Sequence, residues 1–253
     1  MGKLDPRPGT SIPPPYSTTI GCLQLSRNDH LRLINLPPDL IQVARHTIVE
    51  TWPKGIQKEG DFEGCAWEFK LKGNPWLAQG DEAIPARRLL KSLIQAFERT
   101  GWGVYTACGL SKEPGDKDTI FFHQTGVPRS RPFCSISFNK GDRLRLIDAV
   151  SPDVSRAFES VAQTWFLGTK PPSSNPFSRS SAAKDDPGCL EVKLGGTPWY
   201  ASDGIEVVQA RVLCCRLLEA MQSVGLELVV SVDMSTGGSG MDLCTWFLAP
   251  TLA

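Results

Sequence analysis

Metal binding and acid–base or nucleophilic catalysis draw mostly on histidine, cysteine and carboxylates, and this chain offers few of them in working patterns. It has three histidines, His30, His46 and His123, none paired at metal-ligand spacing. Neither a Cys-x-x-Cys nor a His-Glu-x-x-His run occurs among the eight cysteines and three histidines. A structural zinc site needs four closely grouped ligands, so no metal site and no cofactor is expected. Cys214 and Cys215 are neighbours in a helical stretch and point about 100 degrees apart, which makes one a core thiol and the other a boundary thiol. No P-loop, Gly-x-Ser-x-Gly elbow or dinucleotide fingerprint is present. Gly237-Gly238-Ser239-Gly240 could cradle an anion through its amides, but it falls between two strands, where clustered glycine marks a hairpin tip. Asp116 and Asp118, and later Asp233 and Asp242, could bind a hard cation or act as acid and base. Aspartate is equally a common turn former, and solvated turns are the simpler reading.

Two constellations carry more. Gly73-Asn74-Pro75-Trp76 and Gly196-Thr197-Pro198-Trp199 set the same turn before a tryptophan, and Arg87 and Arg211 follow eleven and twelve residues later. An indole face beside a guanidinium can line a ligand pocket, so Trp76, Arg87, Trp199 and Arg211 are the candidate ligand-binding residues. The competing reading makes each tryptophan a plug between helix and sheet with the arginine lying over it. The second constellation is Pro13-Pro14-Pro15-Tyr16, which matches the Pro-Pro-x-Tyr ligand of WW domains. Such peptides dock as preformed polyproline II, so Pro13, Pro14 and Tyr16 are the candidate partner-binding residues.

Charge excludes some classes. The 253 residues balance 27 basic against 27 acidic groups. A nucleic-acid domain shows a basic excess, because phosphate neutralisation supplies much of its affinity, so nucleic acid is not expected as a partner. No apolar stretch reaches the length of about 18 residues that a membrane span needs. The start of the chain lacks the apolar core of a secretory signal, which points to a cytoplasmic or nuclear protein with reduced thiols, not a secreted one.

The elements that must position these residues come in two copies. Leu31-Arg32-Leu33-Ile34 returns as Leu144-Arg145-Leu146-Ile147, and Trp52 as Trp165. Glu68 to Trp76 returns as Glu191 to Trp199, Ala86-Arg87 as Ala210-Arg211, and Gly101 as Gly225. The fixed order marks a duplicated unit. In the first copy, short strands at 19–25 and 31–35 precede a helix opened by Pro37-Pro38-Asp39 and stopped by Pro53. Trp67, Phe69 and Leu71 alternate with Glu68, Lys70 and Lys72, which predicts a half-wet strand. A second helix over 81–100 buries Ile84, Leu89, Leu90, Leu93, Ile94 and Phe97, and Arg87, Arg88, Lys91 and Glu98 decorate its other side. A strand pair closes the unit, and the second copy repeats it. There Ser151-Pro152 caps the first helix, and Asp203 with Glu206 suits a capping arrangement three apart at the second.

The expected fold is therefore α+β: an internal duplication of a strand-helix-strand-helix-strand-strand unit, mainly antiparallel, with helices on one face of the sheet and a pseudo-two-fold relation. Residues 1–18 form a flexible Pro-rich arm, 19–125 the first repeat, and 126–253 the second, with a mobile insertion at 166–188. The short link between copies favours sheets fused into one. Few histidines, no nucleophile motif and no metal constellation favour a non-enzymatic protein-interaction module with a WW-binding arm. The alternative is a small-molecule-binding protein or enzyme with its site at the junction of the repeats, where such sites often lie.

Overall fold

A computed structural model describes residues 19–77, 80–113, 117–170, 186–235 and 243–252. The first repeat runs β1 (Ile20–Ser26), β2 (His30–Ile34), α1 (Pro38–Thr51), β3 (Ile56–Phe62), β4 (Ala66–Leu71), α2 (Ala83–Arg99), β5 (Trp102–Cys108) and β6 (Thr119–Gln124). The second runs β7 (Cys134–Asn139), β8 (Arg143–Ile147), α3 (Pro152–Gln163), β9 (Thr169–Lys170), β10 (Cys189–Leu194), α4 (Gly204–Ser223), β11 (Leu226–Val232) and β12 (Thr245–Pro250). Each repeat folds its own six-stranded antiparallel sheet, in the order β3-β4-β2-β1-β6-β5 and β9-β10-β8-β7-β12-β11. Position by position these orders are the same. The architecture is α+β by internal duplication.

Local detail repeats too. The β5–β6 pairing carries an irregularity between Val104 and Thr106, and β11–β12 carries one between Leu228 and Val230. Arg27 and Asn35 hold left-handed backbone, and so do their counterparts Lys140 and Asp148. Gly101 and Gly225 follow the second helix of each repeat at φ +82° and +80°, a turn glycine enters without a Cβ clash. Ser151 accepts from the Val154 amide at 3.4 Å, and Pro152 occupies the first turn of α3.

Three expectations are corrected. The repeat has one more strand, because β3 precedes β4; its sequence Ile-Gln-Lys-Glu-Gly-Asp-Phe is apolar only at its ends and lies at a sheet edge, so it carries no alternation to read. Its counterpart β9 falls inside the stretch read as an insertion, of which residues 171–185 lie outside the described residues. The sheets do not fuse: they remain two, and the outer face of the second rests on α2 of the first repeat. Asp203 and Glu206 form no reciprocal box, since Asp203 accepts from the Gly204 amide at 2.6 Å while Glu206 reaches the Thr197 amide at 2.8 Å.

Each sheet buries one face under its own helices. Leu23, Leu31, Leu33, Phe69, Ile120 and Phe122 meet α1 and α2 in the first repeat. Cys134, Ile136, Leu144, Leu146, Leu194 and Leu248 meet α3 and α4 in the second. Paired arginine and glutamate clamp the opposite faces across strands: Arg32 Nε donates to Glu68 at 2.7 Å, and Arg145 Nε donates to Glu191 at 2.7 Å.

Candidate interaction surface

The tryptophans singled out by sequence do the same job twice. Trp76 is fully buried and its Nε1 donates to the His30 carbonyl at 2.7 Å. Trp199 is half-buried, and its Nε1 donates to the Arg143 carbonyl at 2.9 Å, the equivalent position. Trp52 and Trp165 form a second matched pair, donating to the carbonyls of Lys72 and Gly195. Each indole fills the gap between helix and sheet while its polar edge satisfies a backbone acceptor. The arginines diverge: Arg87 is 1% exposed and donates to the Ala83 carbonyl, whereas Arg211 is exposed and donates to the Val207 carbonyl within α4. Cation–π contacts occur elsewhere, with Arg32 over Phe62 at 4.0 Å and Arg131 over Phe133 at 5.4 Å. Pro13, Pro14, Tyr16, Asp116, Asp242 and the run Gly237 to Gly240 lie outside the described residues.

Cys214 packs against the second core and Cys215 is exposed, the split that helix geometry requires. Burial pushes the thiols of Cys134 to about 12 and of Cys189 and Cys214 to about 11. At neutral pH these groups stay protonated and are poor nucleophiles. The described residues hold no group of three or more His, Cys, Asp or Glu able to hold a metal ion. No helix among them is long and apolar enough to cross a membrane.

The junction of the two repeats has its own chemistry. The bare face of the second sheet lies on the first repeat, where Val230, Val232, Phe247 and Ala249 join the first core. Ile84 of α2 packs against Ile147 and Cys189. Arg88 grips Asp148 with Nε and Nη2 and Asp186 with Nη1 and Nη2, at 2.6–3.0 Å, and Lys91 also binds Asp148. Burial pushes Asp148 up, but hydrogen bonds from Arg88 and Lys91 outweigh it and hold the carboxyl below the ordinary range. The Arg88 hydrogen bond holds Asp186 low as well, against a smaller effect of burial. Arg131, in the link between copies, donates to Glu98 at 2.8 and 3.0 Å, to Glu227 at 2.5 Å and to the Pro250 carbonyl at 2.8 Å. Asp118 and Asp233, two of the acidic residues marked by sequence, also join the copies: each amide donates to the other residue, at 2.8 Å, through the Asp233 carbonyl and the Asp118 carboxylate.

So the side chains expected to decorate the outside of α2 are covered. Glu98 is 2% exposed, and within Ala83–Arg99 only Arg99 is exposed. Equivalent edge strands β5 and β11 lie side by side, as a two-fold relation would put them, but the helices are used unequally. The stripe Ile84, Arg88, Lys91 corresponds to Val208, Val212, Cys215 on α4, 124 residues later. That stripe faces outward: Val208 is 55% and Ile205 63% exposed, and Cys215 is exposed. Beside it Leu228, the counterpart of the packed Val104, is exposed as well. Periodicity could have found this surface, since Ile205, Val208, Val212 and Cys215 recur at helical spacing alongside the inward stripe.

The fold and this surface define a tandem α+β repeat protein with an internally docked first helix face and an undocked second. One domain-family model matches residues 19–123 and 132–249, and the chain belongs to that family. No curated protein and no solved structure matches the chain.

Proposed function

We propose that this chain is a non-enzymatic protein-interaction module, with its body docking through the outer face of α4 and its arm offering Pro13-Pro14-Pro15-Tyr16 to a WW domain. One observation carries the reading: Val208, Val212 and Cys215, with Ile205 one turn earlier, form an apolar outer stripe, whereas Ile84, Arg88 and Lys91, the counterparts of the first three on α2, are covered by protein. Apolar side chains grouped on a surface, with charged Arg211, Arg216 and Glu219 around them, are the anatomy of a docking site. The tryptophans argue in the same direction, because their polar edges are engaged with backbone and not turned towards a ligand.

The body is tested by photo-crosslinking from position 208 in extract of the native cell, with position 49 as control, since Val49 is an equally exposed apolar residue on α1. Protein adducts from 208 and none from 49 are expected; none from 208 overturns docking by the body. The arm is tested by titrating WW domains with the full chain. Binding at about micromolar strength or weaker is expected. Equal binding by the Tyr16→Ala variant rejects the arm.

A further inference from the structure

We propose that the partner of the α4 face is a second copy of this chain, whose first-repeat sheet docks there by its bare face and repeats between chains the contact that joins the repeats within one. The inference rests on the interaction-module reading and names its partner.

Beyond the β5–β11 edges, where like strands meet, the contact inside the chain is head-to-tail. A helix face of the first repeat meets the sheet face of the second, so two unlike surfaces are used up, one per repeat. The duplication supplies the same two surfaces once more. One is the outer face of α4. The other is the bare face of the first sheet, with Ile34 and Ala66 where the second sheet has Ile147 and Cys189, and Phe121 where it has Phe247. Covered Phe133 corresponds to Ile20, which is 45% exposed, and fully buried Phe247 corresponds to half-buried Phe121. Both open surfaces are therefore ready-made partners for each other, and a single chain cannot bring its own pair together without giving up the junction it has.

Substitutions on the two open surfaces match. Arg88 and Lys91 became Val212 and Cys215 on the helix, and Asp148, the carboxylate that binds both, became Asn35 on the sheet. A charged helix stripe facing a neutral sheet, or the reverse, would bury an unpaired charge, which opposes association. At the Asp148 contact both sides lost charge together, while Glu63 keeps a carboxylate at the exposed rim where the second repeat has Asp186. The apolar contact of Ile84 with Ile147 and Cys189 maps to Val208 with Ile34 and Ala66, apolar throughout. Unlike surfaces that pair this way either close into a ring of two chains or run on as a filament.

Sedimentation velocity of the full chain over about 1–200 μM, the range of modest association constants, tests the proposal. Mass rising with concentration is expected, levelling at two chains for the ring and continuing for the filament. Val208→Glu weakens association at least about tenfold, as a charge buried without a partner should. Val212→Arg also weakens it, and adding Asn35→Asp to the same chain restores it by recreating the Arg88–Asp148 pair between copies. That rescue needs no unfolding argument, and unchanged melting midpoints confirm that all variants fold. A chain that stays monomeric, an association that Val208→Glu leaves intact, or a double variant no stronger than Val212→Arg alone overturns the proposal. Monomer with heterologous adducts at position 208 overturns the second copy and leaves the module reading standing. Monomer with no adducts overturns both.

Discussion

Helices α2 and α4 correspond across the duplication, keep an apolar inward side and live in different surroundings. Ala86, Leu89, Leu93 and Phe97 of α2 correspond to Ala210, Leu213, Leu217 and Met221 of α4, and all eight are buried against their own sheets. The outward stripes have parted. On α2 the stripe Ile84, Arg88, Lys91 and Glu98 is apolar at one end and charged along the rest, and each side chain has a partner in the second repeat or in the link. On α4 it reads Val208, Val212, Cys215 and Gln222, with exposed Val208, Cys215 and Gln222. The fold of a repeat thus depends on the inward half of the helix alone, and the outward half is free to specialise. The difference also shows that charge on a helix is no measure of exposure: the more polar stripe is the covered one, because it meets matching carboxylates.

The largest effects should fall where both repeats agree. Trp76→Ala removes a fully buried indole and orphans the His30 carbonyl, at about 3–5 kcal/mol. Trp199→Ala removes the half-buried equivalent and should cost about 2–4 kcal/mol. Denaturant melts measure both; a Trp199 variant as stable as wild type would break the claim that the two plugs are equivalent. Next come the residues where the repeats disagree. Glu98→Ala removes one of the two carboxylates on covered Arg131, Glu227 remaining, and should cost about 1–3 kcal/mol. Its counterpart Gln222→Ala changes an exposed position and should shift stability by less than about 0.5 kcal/mol. Equal losses at the two sites would show that the junction does not depend on this ion pair.

Much of this architecture is legible in the sequence, and the reason is physical. Residues that hold a repeat together face the same neighbours in both copies, so they return nearly unchanged: Leu31 to Ile34, Trp52, Trp76 and Gly101 all do. The clamp of Arg32 with Glu68 and Arg145 with Glu191 lies in those same returning runs, and only its pairing across strands is hidden, because strand order is not written locally. Strand β3 escapes notice because an edge strand needs backbone partners more than apolar side chains. Burial of Arg87 and Glu98 escapes for a different reason. A helix stripe rich in charge looks the same in sequence whether it meets water or a complementary surface, and the partner that covers Glu98, Arg131, lies 33 positions away.

Acid should expose the junction selectively. Asp148 and Asp186 both have folded values below the ordinary aspartate value of about 3.9. A depressed carboxylate contributes stability that is complete above its unfolded value and is lost as pH falls through the folded one. Stability of the wild type should therefore decline below about pH 4, and Asp148→Asn should decline less steeply there. At neutral pH the same variant should be weaker by about 1–3 kcal/mol, since it removes a carboxylate that accepts from two cations. Asn35, the counterpart on the first sheet, cannot titrate; Glu59, held low by its hydrogen bond from Arg45 inside the first repeat, adds an acid response of its own that Asp148→Asn leaves unchanged. Parallel pH profiles for wild type and Asp148→Asn would remove Arg88 and Lys91 as the source of the depressed value.

The smallest effect is the most discriminating for the paired arginines. Arg87 and Arg211 occupy the same helical position, and each donates to the carbonyl four residues earlier, Ala83 and Val207. In solution geometry that bond is worth little, because water can replace it. Arg87 is sealed from water and Arg211 is not. Arg87→Ala should therefore cost about 1–3 kcal/mol, the range for a buried charged group that gives up its hydrogen bonds and packing. Arg211→Ala should change stability by less than about 0.5 kcal/mol in the monomer, as an exposed substitution does. Measured at low concentration, the two variants separate what the duplication preserved from what the junction made of it. An Arg211 variant destabilised as much as the Arg87 variant would mean that the arginine serves the repeat itself, and the exposed face of α4 would then be less free to specialise than its side chains suggest.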